Sequence, residues 1–283
     1  MPSQREIRRR IGAVRNIKQI TRAMQFVAAS KLKRAQDATL AARPYSEKID
    51  EVLADLASAL GADDHPLLAR REGGVRLIVL VTTDRGLAGA LNTNTIRFAA
   101  REITEHPGDI ALITLGRKGR DAMRRMRLPI LAHFGGLGDR PVFGDVTPLA
   151  RLVVDEYLAG RAGRVDIMHS VFISTLAQRP RMETLLPISP AADTAGIPGR
   201  QFIFEPNPGE VLRQLLPRYV ATRLFQAVLE SKASEESSRM VAMKNATDNA
   251  EDLIDDLTLS YNKVRQANIT REMIEIATGA RAR

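Results

Sequence analysis

Near the start of the chain, apolar or small residues recur at intervals of three and four: Ile7, Ile11, Val14, Ile17, Thr21, Met24, Ala28, Leu32 and Ala35. Toward the other end Met240, Met243, Thr247, Ala250, Ile254, Leu257, Tyr261 and Val264 alternate three and four without a slip. A mean spacing near 3.5 keeps one stripe turned toward a partner helix and predicts a left-handed supercoil. Two separate amphipathic core helices are the plainer alternative. Neither Gly nor Pro interrupts Ala13 to Arg43, or Arg218 to Thr278 over 61 positions, a span far longer than an ordinary globular helix.

The middle has a different period. Seventeen of the nineteen Gly and eleven of the fourteen Pro fall between Gly61 and Gly209, so turns concentrate there. "VRLIVLVTT" (Val75 to Thr83) is a near-continuous β-rich run, as expected of a strand covered on both faces. "DIALITL" (Asp109 to Leu115), "LPILAHF" (Leu128 to Phe134) and "VDIMHSVFI" (Val165 to Ile173) repeat it, with helical stretches between them over Leu87 to Glu105, Arg117 to Met126 and Thr147 to Ala159. That alternation predicts βαβ units with a mostly parallel sheet, a Rossmann-like central α/β domain. "METLLPI" (Met182 to Ile188) reads as a further strand or hairpin edge. The expected division is a helix over 1–60, an α/β domain over 61–208 and a second helix over 209–283.

Helix lengths add a constraint. A first helix from Ser3 to Leu60, bent near Pro44, spans about 85 Å, and a last one from Gly209 to Thr278 about 105 Å. If both enter and leave the central domain at one level, a dozen or more C-terminal residues overhang as a single helix. Met273, Ile274, Ile276 and Ala277 on that overhang expose apolar surface unless something else surrounds them.

Charge supports an antiparallel pairing of the two ends. Residues 1–43 carry eleven Lys and Arg against Glu6 and Asp37, which equals the net charge of the whole chain, +9. Residues 230–256 carry eight acids against Lys232, Arg239 and Lys244. The pairs would set register and orientation, each contributing about 0–1 kcal/mol. The apolar seam is the larger effect, at about 1.5–3 kcal/mol for each large side chain buried.

Several chemistries drop out. With no cysteine, disulfides, thiolate metal sites and thiol nucleophiles are excluded, and a reducing compartment is the default. Aromatics are only 4% of residues, with no Trp, which suits long helices built from Ala, Leu, Met and Ile. No window of about eighteen apolar residues predicts a membrane span. "MPSQREIRRR" lacks the apolar core of a secretory signal, and the seam runs into it, so it reads as mature protein rather than as an Arg-rich transit peptide.

Two strand-to-helix junctions, "TTDRGLAGALN" with Gly86 and Gly89 and "LGRKGRDAM" with Gly116 and Gly119, invite a phosphate reading. Neither matches G-x-G-x-x-G or G-x-x-x-x-G-K-[ST], so structural turns are the expectation. The four His (His65, His106, His133, His169) form no ligand pair, and no G-x-S-x-G elbow occurs. No cofactor, metal or catalytic constellation is expected. A nucleic-acid binder using the basic first helix is the competing class. Against it, the basic residues interleave with an intact seam and bring no stacking aromatics. A purely structural coiled-coil adaptor fits the physics but leaves the overhang unexplained.

Four stretches resemble the gamma subunit of the F-type proton-translocating ATP synthase: Arg5 to Gln36, Thr82 to Asn92, Phe204 to Val220 and Glu230 to Ala280. The likeness is tightest at the two ends and looser over 117–203. It implies an antiparallel coiled coil inside a hexamer of alternating alpha and beta subunits. The α/β domain then lies against the epsilon subunit and the c-subunit ring, with one copy per complex and no nucleic acid. The chain would be a non-catalytic central-stalk rotor, peripheral at the cytoplasmic face of a bacterial cell membrane, coupling proton flow to ATP synthesis or hydrolysis.

By the same resemblance Arg265, Gln266 and Thr270 match positions that hydrogen-bond to beta-subunit loops, and Arg22 and Met24 match the region facing the beta-subunit lever. Met273, Ile274, Ile276 and Ala277 match the apolar tip that turns in the hexamer's sleeve. Asp84, Arg85 and Gly86 match a motif of mainly structural role. Photosynthetic members can carry a Cys pair that gates the rotor by redox state. This chain has no Cys and no evident insert of that kind, and Ala88 stands where many relatives have Cys.

Overall fold

The structure, a computed structural model, describes residues 3–59, 65–71, 73–189 and 207–279. The boundary drawn at 60/61 lies outside the described residues. The elements run α1 (Gln4–Ala59), β1 (Val75–Val81), α2 (Leu91–Glu105), β2 (Ile110–Leu115), α3 (Arg117–Arg125), β3 (Ile130–Phe134), α4 (Phe143–Leu158), β4 (Ala162–Phe172), β5 (Gln178–Leu186) and α5 (Pro208–Gly279). They form two compact units, residues 1–28 with 239–283, and residues 29–238. Among the described residues no helix is long and apolar enough to cross a membrane.

In the larger unit a five-stranded sheet has the order β3-β2-β1-β4-β5. The first four strands pair in parallel, and β5 returns antiparallel to β4 as a hairpin edge. Placing β4 on the far side of β1 from β2 is the reversal that defines a Rossmann-like sheet. Alternate residues of β1 serve the two faces. Leu77, Val79 and Val81 join a cluster with Val146, Leu149 and Val153 of α4, Ile49 and Leu53 of α1, and Leu212, Leu216 and Leu224 of α5. Ile78 and Leu80 join Ala99 of α2 and Ala122 and Met123 of α3 on the opposite face.

Helix starts differ from the sequence expectation for local reasons. Leu87 and Gly89 have positive φ (61° and 52°), which a right-handed helix excludes, so α2 begins at Leu91 rather than Leu87. Helix α4 begins one turn before Thr147 and runs through Pro148, with the Asp145 carboxylate accepting the Val142 amide at 2.8 Å. Asn207 accepts the Glu210 amide at 2.9 Å, and Pro208 follows at the first helical position, where a missing N–H costs nothing.

In the smaller unit the helices pair antiparallel. The Thr21 and Thr247 hydroxyls meet at 2.8 Å, Lys18 Nζ lies 2.7 Å from a Glu251 oxygen, and Gln4 and Arg8 both donate to the Tyr261 hydroxyl, at 2.9 and 2.7 Å. The two position numbers sum to nearly the same value at each contact, the mark of antiparallel pairing. Ile7, Ile11, Ala28, Met243 and Ala250 are buried. Ile17, expected in the seam, is 52% exposed. Lys18 takes its place, since the 3.5-residue period selects 11, 14, 18 and 21, and a lysine stem covers apolar surface while its ammonium reaches Glu251.

Candidate functional site

The carboxyl ends of parallel strands, where an open α/β sheet ordinarily receives a ligand, are filled by the chain itself. Asp84, just beyond β1, accepts the Arg117 amide at one oxygen and the Gly136 amide at the other, both at 3.0 Å. Arg117 opens α3, so the carboxylate sits on the exposed amides and positive dipole end that a phosphate would use. Thr82 closes the same junction. Its hydroxyl accepts the Gly119 amide at 2.8 Å, and a Cβ on Gly116 or Gly119 would collide with it or its carbonyl. These glycines allow close helix approach rather than a phosphate cradle. Arg85 is exposed and Gly86 half-buried beside them.

The second customary position, the crevice between β1 and β4 where strand order reverses, is taken by one turn of α5. Ser234 donates to the Ser170 carbonyl at 3.0 Å, and Ser238 donates to the Ala88 carbonyl at 2.7 Å. Ser237 donates to the Thr175 carbonyl at 2.7 Å. Below them the Thr95 and Ser170 hydroxyls meet at 2.7 Å.

A polar cavity of about 240 Å³ is lined by His169, Arg181, Glu183, Arg223, Gln226 and Glu230. Its charges are already matched: Arg181 lies 3.1 Å from Glu183, and His169 Nε2 lies 3.3 Å from Glu230. Burial opposes ionisation of Glu230, but the hydrogen bond from His169, its charge and the Gln226 amide outweigh burial and hold the carboxyl below the usual range. Among the described residues no group of three His, Asp or Glu side chains is placed to hold a metal ion.

The residues singled out from the sequence lie in the smaller unit, apart from the Asp84–Gly86 motif. Among the described residues Tyr261, bracketed by Gln4 and Arg8, is the last on α5 with a polar partner on α1. Beyond it Arg265, Gln266 and Thr270 are exposed, and the Thr270 hydroxyl turns back to the Gln266 carbonyl at 2.9 Å. Every residue from Arg271 to Thr278 is exposed, with Met273, Ile274 and Ile276 at 58%, 57% and 73%. On α1 Met24 is half-buried and Arg22 exposed.

Sequence reasoning missed a second stripe on α1. Ile17, Ile20 and Val27 are more than half exposed and, with the half-buried Met24 between them, repeat at intervals of three, four and three. The signal was present as a second heptad phase offset from the seam.

A strand-end crevice filled by the chain's own side chains, and helices that leave apolar residues exposed, describe a protein with surface for other chains to cover. A family model described as ATP synthase matches residues 3–282. The ATP synthase gamma chain of Roseiflexus castenholzii is 50% identical over the whole of this chain and 99% of its own length. That of Pelotomaculum thermopropionicum is 45% identical, with the same coverage. The chain belongs to the ATP synthase gamma-chain family. The fold is also that of a chain in the Euglena gracilis mitochondrial ATP synthase, with TM-score 0.70 and 21% identity over 99% of this chain and 94% of that one. A chain of the Tetrahymena thermophila central stalk and c-ring gives TM-score 0.61 and 23% identity, over 80% of this chain and 99% of that one.

Proposed function

We propose that this chain is the rotating central shaft of a proton-transporting ATP synthase, present in one copy per complex. It carries no active site of its own. The complex makes or hydrolyses ATP in a hexamer of alpha and beta subunits, and this chain selects which conformation each beta subunit adopts by presenting a different face to it. A conformational change transmits energy only through differential contacts with the two states, so those faces must be chemically distinct. They are: on α1 the exposed stripe of Ile17, Ile20 and Val27 lies beside the basic Arg15 and Arg22, while α5 offers the acids around Glu251.

In this reading the chain divides into residues 1–60, 61–208 and 209–283, the first and last forming the shaft. Arg265, Gln266 and Thr270, with Arg22 and Met24, contact beta subunits. Met273, Ile274, Ile276 and Ala277 form an apolar bearing, and Asp84, Arg85 and Gly86 hold the α/β domain together. That domain meets the epsilon subunit and the c-ring, which places the chain peripherally at the cytoplasmic face of a bacterial membrane. The observation carrying the reading is the largely exposed α5 beyond Val264, about 20 Å of helix on which Ile269, Met273, Ile274 and Ile276 face solvent, with no polar partner on α1 among the described residues.

Native co-purification tests it: an alpha/beta hexamer holding one copy of this chain supports it, and salt-sensitive nucleic acid in its place refutes it. Replacing Arg265 and Gln266 together by Ala should lower ATPase turnover or assembly with helix content unchanged. Normal activity and assembly would remove both from the contact surface.

A further inference from the structure

Helix α5 is held in the larger unit in two chemically different ways. Over Leu212, Leu216, Val220, Leu224 and Val228 it is buried in an apolar cluster. Over 234–238 the face toward the sheet turns polar, and Ser234, Ser237 and Ser238, at i, i+3 and i+4, share one side of a single turn. Each hydroxyl donates to a backbone carbonyl from a different segment: Ser170 in β4, Thr175 in the β4–β5 turn, and Ala88 between β1 and α2. The Gln178 side-chain amide donates to Ser237 Oγ at 3.3 Å. On the opposite side of the same turn Lys232 lies 2.9 Å from Glu235 and 3.8 Å from Asp139, which Lys31 of α1 approaches to 2.7 Å.

We propose that Ser234, Ser237 and Ser238 are positioning residues that fix the rotational angle of α5 against the sheet, so that torque passes between the helix and the α/β domain without slip. Apolar burial is non-directional, so it sets the angle of a helix less sharply than hydrogen bonds do. Hydrogen bonds are not so tolerant. A hydroxyl carried about 4 Å from the helix axis moves about 1.4 Å for each 20° of rotation, enough to break a bond of 2.7–3.0 Å. Three bonds to three separate backbone segments admit one angle only. The acceptors are main-chain carbonyls, whose positions the sheet and its hairpin hold. The crevice that other open α/β sheets give to a ligand is thus used as a keyway.

This inference rests on the rotor reading, and its test separates the two. Because the chain has no Cys, Arg125→Cys, exposed at the end of α3, provides a single attachment point for a rotation probe on complexes immobilised through their hexamer. Without ATP, the angular variance of the probe reports torsional stiffness between hexamer and domain. The triple variant Ser234→Ala, Ser237→Ala, Ser238→Ala should at least double that variance. Ser238→Ala alone, at a half-buried position where folding is least at risk, should raise it by a smaller measurable step, and Ser238→Thr, which keeps the hydroxyl, should return it to the starting value. A purely structural contribution would lower the thermal midpoint and leave the variance alone. Unchanged variance in the triple variant, or in Ser238→Ala if the triple variant does not assemble, overturns the keyway. A starting protein that shows no ATP-driven rotation sinks the rotor reading, and this inference with it.

Discussion

The two units bury their apolar residues to opposite degrees. In the larger one Leu77, Ile78, Leu112, Met123, Leu149, Tyr157 and Met168 are at most 1% exposed, and two clusters fill both faces of the sheet. In the smaller one Ile17, Ile20, Phe26, Val27, Leu253, Leu259, Ile269, Met273, Ile274 and Ile276 are each 47% exposed or more. The sequences are comparably apolar, so the difference lies in geometry. A sheet covered on two faces has an inside, whereas a helix pair has one seam and leaves most of each helix outward. The larger unit has a filled interior, although Leu40, Leu87, Val142 and Leu176 stand 58–82% exposed on its surface. The smaller one has only a seam and leaves most of its large apolar residues outward, as a part that turns inside a sleeve requires.

Cutting the chain after Val264 is the strongest way to test that contrast. It removes only helix that α1 does not cover, since the Gln4 and Arg8 contacts to Tyr261 remain. Helix content of what is left and unfolding of the larger unit should not change, while ATP-driven proton transport by the complex should be lost. Undiminished transport would mean that the exposed tip does no mechanical work. A paired substitution is the next largest test. Leu216→Ala, in a residue 0% exposed, should cost about 2–5 kcal/mol in denaturant unfolding, as large cavities do. Ile274→Ala, at 57% exposure, should cost nothing measurable in the free chain yet weaken assembly with the hexamer. Equal destabilisation by the two would erase the distinction between the units.

The smallest expected effect concerns pH. Glu230 is held below the usual carboxyl value in the folded protein, so its contribution is present above the unfolded value, 4.5, and is lost as pH falls through the folded one. Glu230→Gln should therefore flatten the acid limb of the larger unit's stability without affecting neutral pH to the same degree as Leu216→Ala. Identical acid limbs in urea titrations of the two proteins would show that the His169 contact contributes nothing.

Elements with strong periodicity were legible from the residues: both long helices and the five strands, the last of them read only as a strand or hairpin edge. The miss at Ile17 has a definite cause. Intervals of three and four can pass through either Ile17 or Lys18, and hydrophobicity alone chose the isoleucine, whereas the supercoil's phase and a long aliphatic stem chose the lysine. The start of α2 was misjudged because nothing in "RGLAG" announces that Leu87 adopts positive φ.

Closure of the ligand crevice was illegible for another reason. Ser238 and Ala88 are 150 positions apart, and Ser234 and Ser170 are 64 apart, so no local pattern joins them. The absence of a phosphate fingerprint in "TTDRGLAGALN" was readable, but that Asp84 occupies the phosphate's place was not. That fact depends on β3 and its following loop bringing Gly136 to the other carboxylate oxygen.

The contact of Gln4 and Arg8 with Tyr261 also has an optical consequence. The chain has four tyrosines and no tryptophan, so its absorbance to the red of the phenylalanine bands is tyrosine alone. Hydrogen bonds from Arg8 and then Gln4 draw the Tyr261 phenol below its ordinary ionisation range, while burial pushes Tyr157 and Tyr219 above theirs. In an alkaline titration followed by phenolate absorbance, Tyr261 ionises ahead of those two. Its absorbance step becomes a built-in gauge of whether the tips of the two helices are zipped or have come apart.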